Sequence, residues 1–410
     1  MTLSPDPGDV HYSALTGHNG AASEERPPAR LRRQASAKVA MIGAGQLARM
    51  THQAAVDLDI DLAVLAESAD DSAVVAGAPY RLGSPSSLAD IRAAVAGADV
   101  VTFDHELIPS AHLTELEELG YRLRPGPQAL SLAQDKLEAR SVLSASGFPV
   151  PAFASVSSPG DVKTFAEEHG WPVVVKSPQG AYDGRGVHVV ESEDQLVCLF
   201  AQAPQEDRLY LAEQFVDIAA ELAILIARTA QGYVAMYPAV QTVRQAGICR
   251  HLLMPAPLPA PIIEQAGRMA KSIADGIDAT GILAVEMFLD TRGQLLINEL
   301  ALRPHNSGHA TIEACETPQF HQHLRAVLDW PLGATTLLSA AATVNLIGSP
   351  DTVEVADRLP LALGIRGAHV HLYGKAIRPG RKLGHVTALG ASTEDALETA
   401  QAAVALLVKP

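Results

Sequence analysis

Between Gln294 and His309 the chain leaves an apolar run and enters a stretch that no hydrophobic core can accept. Gln294-Leu295-Leu296-Ile297 reads as a strand. Asn298-Glu299-Leu300-Ala301-Leu302-Arg303-Pro304-His305-Asn306-Ser307-Gly308-His309 then gathers a carboxylate, a guanidinium, two imidazoles, amides and a hydroxyl. A strand that opens into a dense polar loop with Pro and Gly is how a rigid scaffold presents binding and catalytic groups. Upstream, the apolar run of residues 283–289 meets residues 295–299 across Asp290-Thr291-Arg292-Gly293, which reads as a hairpin. With Thr291-Arg292 at the centre of the turn, Glu286 faces Ile297, and Glu299 is its diagonal neighbour on the same face, roughly 7–8 Å away. Two carboxylates in apolar strands repel each other unless a cation lies between them. Oxygen-only ligation points to magnesium rather than zinc.

Length and charge narrow the function. At 410 residues, and roughly 150 per domain, the chain has room for two or three domains with large cores. Its formal net charge of -15 argues against nucleic acid or an anionic membrane as the main partner, since both need a basic field. Cys198, Cys249 and Cys315 are far apart and form no CxxC, so neither a disulfide frame nor a zinc site is expected. A reducing cytoplasm fits that usage. No apolar run reaches transmembrane length, and the first residues lack the apolar core of a secretory signal, so a soluble protein is expected.

Along the chain, residues 1–36 are rich in Pro, Ser, Gly, Ala and charge and read as a mobile tail ending in the basic Arg30, Arg32 and Arg33. Residues 39–42 read as a buried strand, Gly43-Ala44-Gly45-Gln46-Leu47-Ala48 as a glycine turn, residues 47–58 as a helix and 61–66 as a second strand. That is a βαβ unit with Glu67 where a nicotinamide dehydrogenase places its ribose carboxylate, although such a turn serves any anion or simply allows close helix packing. Asp104-His105-Glu106 ends the strand of residues 99–103, at the sheet edge where ligands sit. Leu132, Lys136, Ala139 and Leu143 are spaced as one helix running to Gly147. Residues 171–176 form a strand ending in Lys176, followed by Gly180-Ala181-Tyr182-Asp183-Gly184-Arg185-Gly186 and a strand over 187–190. A glycine-rich loop beside a strand lysine suits a mobile phosphate cover, because bare backbone N–H groups can approach anionic oxygens. Further strands carry Glu213 (209–216) and open at Glu221 (222–227).

The ordered series Lys136, Lys176, Tyr182-Asp183-Gly184-Arg185-Gly186, Glu213, Glu221, Glu286 and Asn298-Glu299 resembles the ATP-grasp superfamily. Within it, Gly43 to Leu47, the Tyr-Asp-Gly-Arg-Gly loop, Arg303 to His309, and Arg378-Pro379-Gly380-Arg381-Lys382-Leu383-Gly384-His385 are similar to the ligases that carboxylate 5-aminoimidazole ribonucleotide in purine biosynthesis. The resemblance covers about residues 37–400. It implies an α/β and α+β architecture: a Rossmann-like pre-ATP-grasp domain over 37–130, an ATP-grasp domain over 131–325 with a lid subdomain at about 150–212, and a small β-rich domain over 326–410.

The resemblance also implies ATP and Mg2+ as cofactors and assigns roles. Lys136 and Lys176 hold ATP phosphates under a loop formed by Ala181, Tyr182, Asp183, Gly184, Arg185, Gly186 and Val187. Glu213, Gln214, Phe215 and Val216 read the adenine and Glu221 the ribose; Glu286 and Glu299 hold magnesium, with Asn298 beside ATP. Gln46, Leu47, Tyr182, Asp183, Arg185 and Ser307 face the ribonucleotide, together with the catalytic His305 and Asn306. Arg303 takes bicarbonate or the transferring phosphoryl group, and Lys375, Arg381 and Lys382 clamp the 5′-phosphate. A homodimer and functional coupling to the downstream mutase follow from the same likeness. The chain departs from the family's habit at four places: Ala181 replaces Gly, Leu302 replaces Pro, Asp104-His105-Glu106 only loosely matches the acidic turn, and Arg244 replaces a His that contacts ATP, which leaves Arg244 outside the expected site.

The residue chemistry fits such a reaction. Bicarbonate is a poor electrophile, and ATP can activate it as carboxyphosphate, while magnesium and lysines neutralise charge on the transferring phosphoryl oxygens. Three rivals stand beside it: a dehydrogenase built on the first βαβ unit, another ATP-grasp carboxylate-amine ligase, and a non-catalytic ATP-binding regulator. The last has no need of paired carboxylates or of Arg381 and Lys382.

Overall fold

Buried apolar runs set the first sheet. In β1 (Lys38–Ile42) every residue after Lys38 is buried, as a parallel strand covered on both faces requires. With β2 (Asp61–Ala66), β3 (Tyr80–Leu82) and β4 (Val100–Phe103) it forms a parallel sheet of order β3-β2-β1-β4. Helix α1 (Gln46–Asp57) follows the glycine turn and buries Leu47, Ala48, Met50, Ala54 and Ala55 against it. The computed structural model describes residues 36–180, 186–202, 209–245, 247–350, 352 and 354–408. The expected tail, apart from Ser36, and the loop residues Ala181, Tyr182, Asp183, Gly184 and Arg185 lie outside them.

The helix expected from Leu132 to Gly147 is two helices, Pro127–Gln134 and Lys136–Ala145. Asp135 divides them. Its backbone is extended and its carboxylate accepts from Leu137 N (2.9 Å) and Glu138 N (3.0 Å), so the side chain caps a new helix instead of continuing the old one. An apolar period runs through such a break unnoticed. The consequence is functional, because Lys136 becomes the first residue of a helix and is aimed from its N-terminus.

A second, antiparallel sheet holds β5 (Phe153–Val156), β6 (Val173–Lys176), β7 (Val187–Val190) and β8 (Tyr210–Gln214) in the order β5-β8-β6-β7. Helices Pro159–His169 and Glu193–Gln202 accompany it; the first opens on Ser158 and Asp161, each bonded to the other's backbone N–H.

The third sheet comprises β9 (Ile218–Arg228), β10 (Val234–Met236), β11 (Val240–Gln245), β12 (Ile248–Met254), β13 (Gly281–Asp290), β14 (Leu295–Ala301), β15 (Ala340–Ile347), β16 (Ala368–Leu372) and β17 (Lys382–Gly390). Its order is β14-β13-β9-β11-β12-β15-β17-β16, with β10 beside β9. Pairing of β12 with β15, from His251↔Val344 to Met254↔Ala341, carries the sheet without interruption past residue 326.

His323, on helix Gln319–Val327, pins the first sheet to the third. Its Nδ1 accepts from Ile282 N (3.1 Å), which leaves Nε2 as the N–H directed to Thr102 Oγ1 (2.8 Å). A Cβ at Gly281 would meet the ring at 2.9 Å, and Gly281 has φ +101°, so both space and backbone require glycine there. Burial lowers the His323 pKa to about 3. The unfolded chain therefore binds this proton first. The stabilisation is complete above the unfolded value near 6.5 and is lost as pH falls toward 3, by roughly 1.4 kcal/mol per pH unit. Urea midpoints should fall between pH 6.5 and 4, and His323→Gln should lower the slope by about one proton; an unchanged slope in the variant contradicts the assignment.

Candidate active site

The hairpin loop is one residue longer than the sequence suggests. Asp290 N donates to Gln294 O (3.0 Å), enclosing a three-residue loop, Thr291-Arg292-Gly293, in which Gly293 takes φ +82°. The Asp290 carboxylate organises the loop by accepting from Arg292 N (3.0 Å) and Gln294 N (2.7 Å). The longer loop pairs Met287 with Ile297, and a bulge between Glu286 and Met287 then leaves Asn298 as the extra residue. Glu286 therefore faces Glu299 directly, not Ile297, and the expected diagonal arrangement is corrected. Two slips of one residue each have brought the carboxylates together. Alternation of apolar and polar residues cannot reveal a bulge.

Each carboxylate has a cation of its own. Lys136 Nζ lies 2.8 Å from Glu299 Oε1. Arg244 Nη2 donates to Glu286 Oε2 and Arg244 Nε to Glu221 Oε2, both at 2.7 Å. Burial opposes charge on Arg244, but Glu286 and Glu221 outweigh it and hold its pKa above the ordinary guanidinium value. Arg244, which the sequence analysis leaves outside the site, thus stands at its centre. Thr242 pairs with Glu221, and alternation along β11 puts Arg244 on the face of Thr242, a cross-strand placement that the sequence pattern does not carry.

At the end of β6, Lys176 is buried and its Nζ is bonded to Glu213 Oε2, while Arg140 Nε reaches Glu213 Oε1 at 2.5 Å. Burial alone would raise the Glu213 pKa, but Lys176 and Arg140 hold it below the usual carboxylate range. Both Glu213 oxygens are engaged. Breaking such a buried pair from one side costs about 3–5 kcal/mol, so the arrangement fixes the Lys176 ammonium firmly. At the end of β8 Gln214 is exposed, and beyond it Phe215 is exposed and Val216 half-buried, with Phe215 offering an aromatic face at 44% exposure. At the foot of the glycine loop, Gly186 O accepts from Ser177 N (3.0 Å) and Lys176 pairs with Val187.

The first glycine turn is already filled. Asp104, from the end of β4, accepts from Gly45 N (2.5 Å) and Ala48 N (3.0 Å) at the N-terminus of α1. That is where a dinucleotide pyrophosphate would sit, so the dehydrogenase alternative loses its phosphate site. A Cβ at Gly45 would lie 2.6 Å from Asp104 Oδ2. The first helical residue, Gln46, accepts from Lys375 Nζ, whereas the Leu47 side chain is buried in the core.

Within the polar loop, Arg303 Nε donates to Glu106 Oε2 at 2.8 Å. Burial disfavours the charge of Arg303, and Glu106 restores it. Ser307 N and Oγ approach His305 Nδ1 at 3.3 and 2.8 Å, so Nδ1 accepts and Nε2 carries the proton toward Glu286 Oε1, 3.2 Å away. Burial, then Arg303, Lys382 and Arg244, lower the His305 pKa to about 3. Gln319 holds the loop's backbone: its Oε1 accepts from His305 N (2.9 Å) and its Nε2 donates to His305 O (2.8 Å). Asn306 Nδ2 lies 3.7 Å from Cys249 Sγ.

The basic motif reverses direction at Pro379-Gly380, where Arg381 N donates to Arg378 O (3.1 Å) and Gly380 has φ +76°. Arg378 is exposed, whereas Lys375, Arg381 and Lys382 are half-buried. Lys375 has its pKa lowered by burial, with Asp104 opposing and Arg381 and Lys382 assisting, so these groups share one neighbourhood. The structure therefore brings the glycine turn, the basic motif and the polar loop to one region, with Lys382 felt at His305.

The donor set fits magnesium: facing carboxylates and the amide oxygen of Asn298 are hard oxygen ligands, and Mg2+ needs only one or two carboxylates beside phosphate and water oxygens. Among the described residues no three His, Cys, Asp or Glu side chains gather as an all-protein metal site. No described helix is long and apolar enough to cross a membrane.

A glycine-loop sheet, a carboxylate hairpin and a pre-ATP-grasp sheet define an ATP-dependent ligase of the ATP-grasp class. Residues 36–134 match the ribonucleotide synthetase preATP-grasp domain, 141–320 the ATP-grasp domain and 341–399 the phosphoribosylaminoimidazole carboxylase C-terminal domain. The N5-carboxyaminoimidazole ribonucleotide synthase of Mycobacterium tuberculosis (strain ATCC 25618 / H37Rv) is 45% identical over 370 residues, covering 89% of this chain and 86% of that protein. That of Corynebacterium ammoniagenes is 40% identical over 378 residues, covering 90% and 92%. A solved structure of the Aspergillus clavatus N5-carboxyaminoimidazole synthase, in complex with ADP and 5-aminoimidazole ribonucleotide, superposes with a TM-score of 0.83 at 31% identity, covering 91% of this chain and 98% of that one. The chain belongs to the N5-carboxyaminoimidazole ribonucleotide synthase family.

Proposed function

We propose that the chain carries out the ATP-dependent carboxylation of 5-aminoimidazole ribonucleotide to N5-carboxyaminoimidazole ribonucleotide in purine biosynthesis, with bicarbonate as the carbon source. The observation that carries this reading is the facing Glu286–Glu299 pair, bound on one side by Lys136 and on the other by His305 from the polar loop. A bicarbonate oxygen attacks the γ-phosphorus of ATP, the bond to ADP breaks, and carboxyphosphate forms. The ribonucleotide's amine then bonds to the activated carbon, directly or after carbon dioxide is released; phosphate leaves and the amine loses a proton.

Glu286 and Glu299, with Asn298 alongside, would hold Mg2+, which when bound supplies positive charge to the phosphate oxygens. The protein's own residues do the rest. Lys136 and Lys176 neutralise phosphate charge, and Glu213, gripped by Lys176 and Arg140, sets the ammonium in place while the backbone through Gln214, Phe215 and Val216 meets the adenine. Glu221 takes the ribose, after exchange with Arg244. His305, neutral and with Nδ1 occupied, orients Glu286 by donating from Nε2. Ser307, fully buried, fixes that ring. Arg303, oriented by Glu106, supplies charge for bicarbonate or the phosphoryl group, with Asn306 beside it. Gln46 and the Lys375, Arg381 and Lys382 cluster receive the ribonucleotide. Keeping water from the anhydride is the role the resemblance gives to the loop of residues 181–187, of which only Gly186 and Val187 are among the described residues.

We take 37–130, 131–325 (lid about 150–212) and 326–410 as domains, and the protein as a cytoplasmic homodimer coupled in function to the downstream mutase. The test is isotopic. With 18O-labelled bicarbonate, one label should appear in each phosphate released, since the attacking oxygen stays on phosphorus. Unlabelled phosphate during full turnover contradicts activation of bicarbonate by ATP.

A further inference from the structure

Behind the polar loop stands a column of imidazoles that no step above uses. His309, at the loop's end, is 1% exposed and stacks on the fully buried His385 of β17, with ring centroids 4.6 Å apart. His385 stacks in turn on its cross-strand partner His371 of β16 at 4.5 Å and an interplanar angle of 15°. Every level is tied to a neighbour: Gln319 Nε2 lies 3.2 Å from His309 Nδ1, Tyr373 OH 2.7 Å from His385 Nδ1, and Glu313 Oε1 2.6 Å from His371 Nε2.

These ties lead to different parts of the site. Gln319 also grips the backbone of His305. His385 follows Lys382 by three residues on the same strand. Tyr373 precedes Lys375 by two residues, its ring lies 6.0 Å from the Lys375 Nζ, and its carbonyl accepts from Ser72 Oγ (2.6 Å), beside α1. The column has a cost, because His385 Nε2 and Glu313 Oε2 are buried with no partner among the described residues. Packing alone would be served better by apolar rings. Burial first, and then the neighbouring imidazoles, keep His309 and His385 neutral, so each ring has one donor and one acceptor and a single way to face. A polar network of this kind specifies orientation more than it stabilises.

We propose that His385 is a positioning residue: stacked between His309 and His371, it fixes the His305 loop against Lys382 and Lys375, and so sets the distance between the carboxylating end of the site and the end that holds the ribonucleotide's phosphate. The inference rests on the proposed function. The strand residues assigned to ATP lie on the second sheet and on β9, β13 and β14 of the third, with β11, β12 and β15 between those strands and the column, so ATP binding should not feel it.

His385→Ala, His385→Phe and Tyr373→Phe test this in the full chain. His385→Ala should raise KM for aminoimidazole ribonucleotide roughly ten- to a hundredfold, since small misplacements are costly in an organised site. His385→Phe, which keeps the stack but loses the bond to Tyr373, should fall between that variant and the parent. KM for ATP, and the melting shift caused by Mg-ATP, should remain those of the parent in all three. If His385→Ala fails to fold, the other two variants carry the same test. A lower melting temperature with unchanged KM for the ribonucleotide makes the column packing alone and overturns the inference. A parallel rise in both KM values overturns it too. A parent enzyme whose ATP turnover ignores the ribonucleotide overturns the proposed function, and the inference with it.

Discussion

Glu286→Gln and Glu299→Gln are each expected to lower ATP turnover by roughly a hundredfold or more while leaving the fold intact. The substitutions keep shape and a carbonyl acceptor, so Arg244 and Lys136 retain hydrogen bonds to the replaced side chains. What is lost is charge. In the facing pair each carboxylate has its own cation, and the net charge available to a metal at the phosphates falls with either one. Glu286→Gln has a second consequence, since it weakens the acceptor that His305 Nε2 addresses. Turnover measured at limiting magnesium, with circular dichroism to confirm folding, decides the matter. Near-normal activity in either variant would sink the assignment of the hairpin.

Arg381→Ala should raise KM for the ribonucleotide by roughly ten- to a hundredfold, as expected when a charge-assisted contact worth roughly 1.5–3 kcal/mol is lost, and should leave KM for ATP little changed. The turn does not depend on this side chain. Arg381 N donates to Arg378 O, and Arg381 O accepts from Gly348 N (2.8 Å), through backbone atoms that alanine keeps. Pro379 and Gly380 alone explain the reversal of the chain, but not why Lys375, Arg381 and Lys382 gather half-buried while Arg378 stays in solvent. Like charges held together need an anion, and Asp104 is partly committed to the glycine turn. Loss of ATP affinity with an unchanged ribonucleotide KM would reverse the division of the pocket.

Much of this site was legible because its chemistry sits in continuous motifs. The carboxylates of the hairpin, the polar loop and the basic turn each declare themselves within about a dozen residues, and Lys176 could be read as the end of a strand. What stayed hidden was non-local or concerned register. Asp135 interrupts a helix whose apolar period continues unbroken, because capping depends on one side chain and its backbone rather than on periodicity. The bulge at Asn298 moves Glu286 opposite Glu299 without leaving any mark in the pattern. Arg244 looked like a departure from a family habit, yet its two carboxylates come from strands 23 and 42 residues away. Asp104 lies 59 residues beyond Gly45, and its occupation of the glycine turn decides against a dinucleotide in a way that the turn's own sequence cannot.

The most direct measurement is phosphate release from ATP with aminoimidazole ribonucleotide and bicarbonate supplied singly and together. Turnover should be rapid only with both, and N5-carboxyaminoimidazole ribonucleotide should accumulate in proportion to the phosphate released. Turnover that is indifferent to the ribonucleotide, yet stimulated by another amine or acid, would contradict the assignment of substrate while leaving the ATP-grasp chemistry in place.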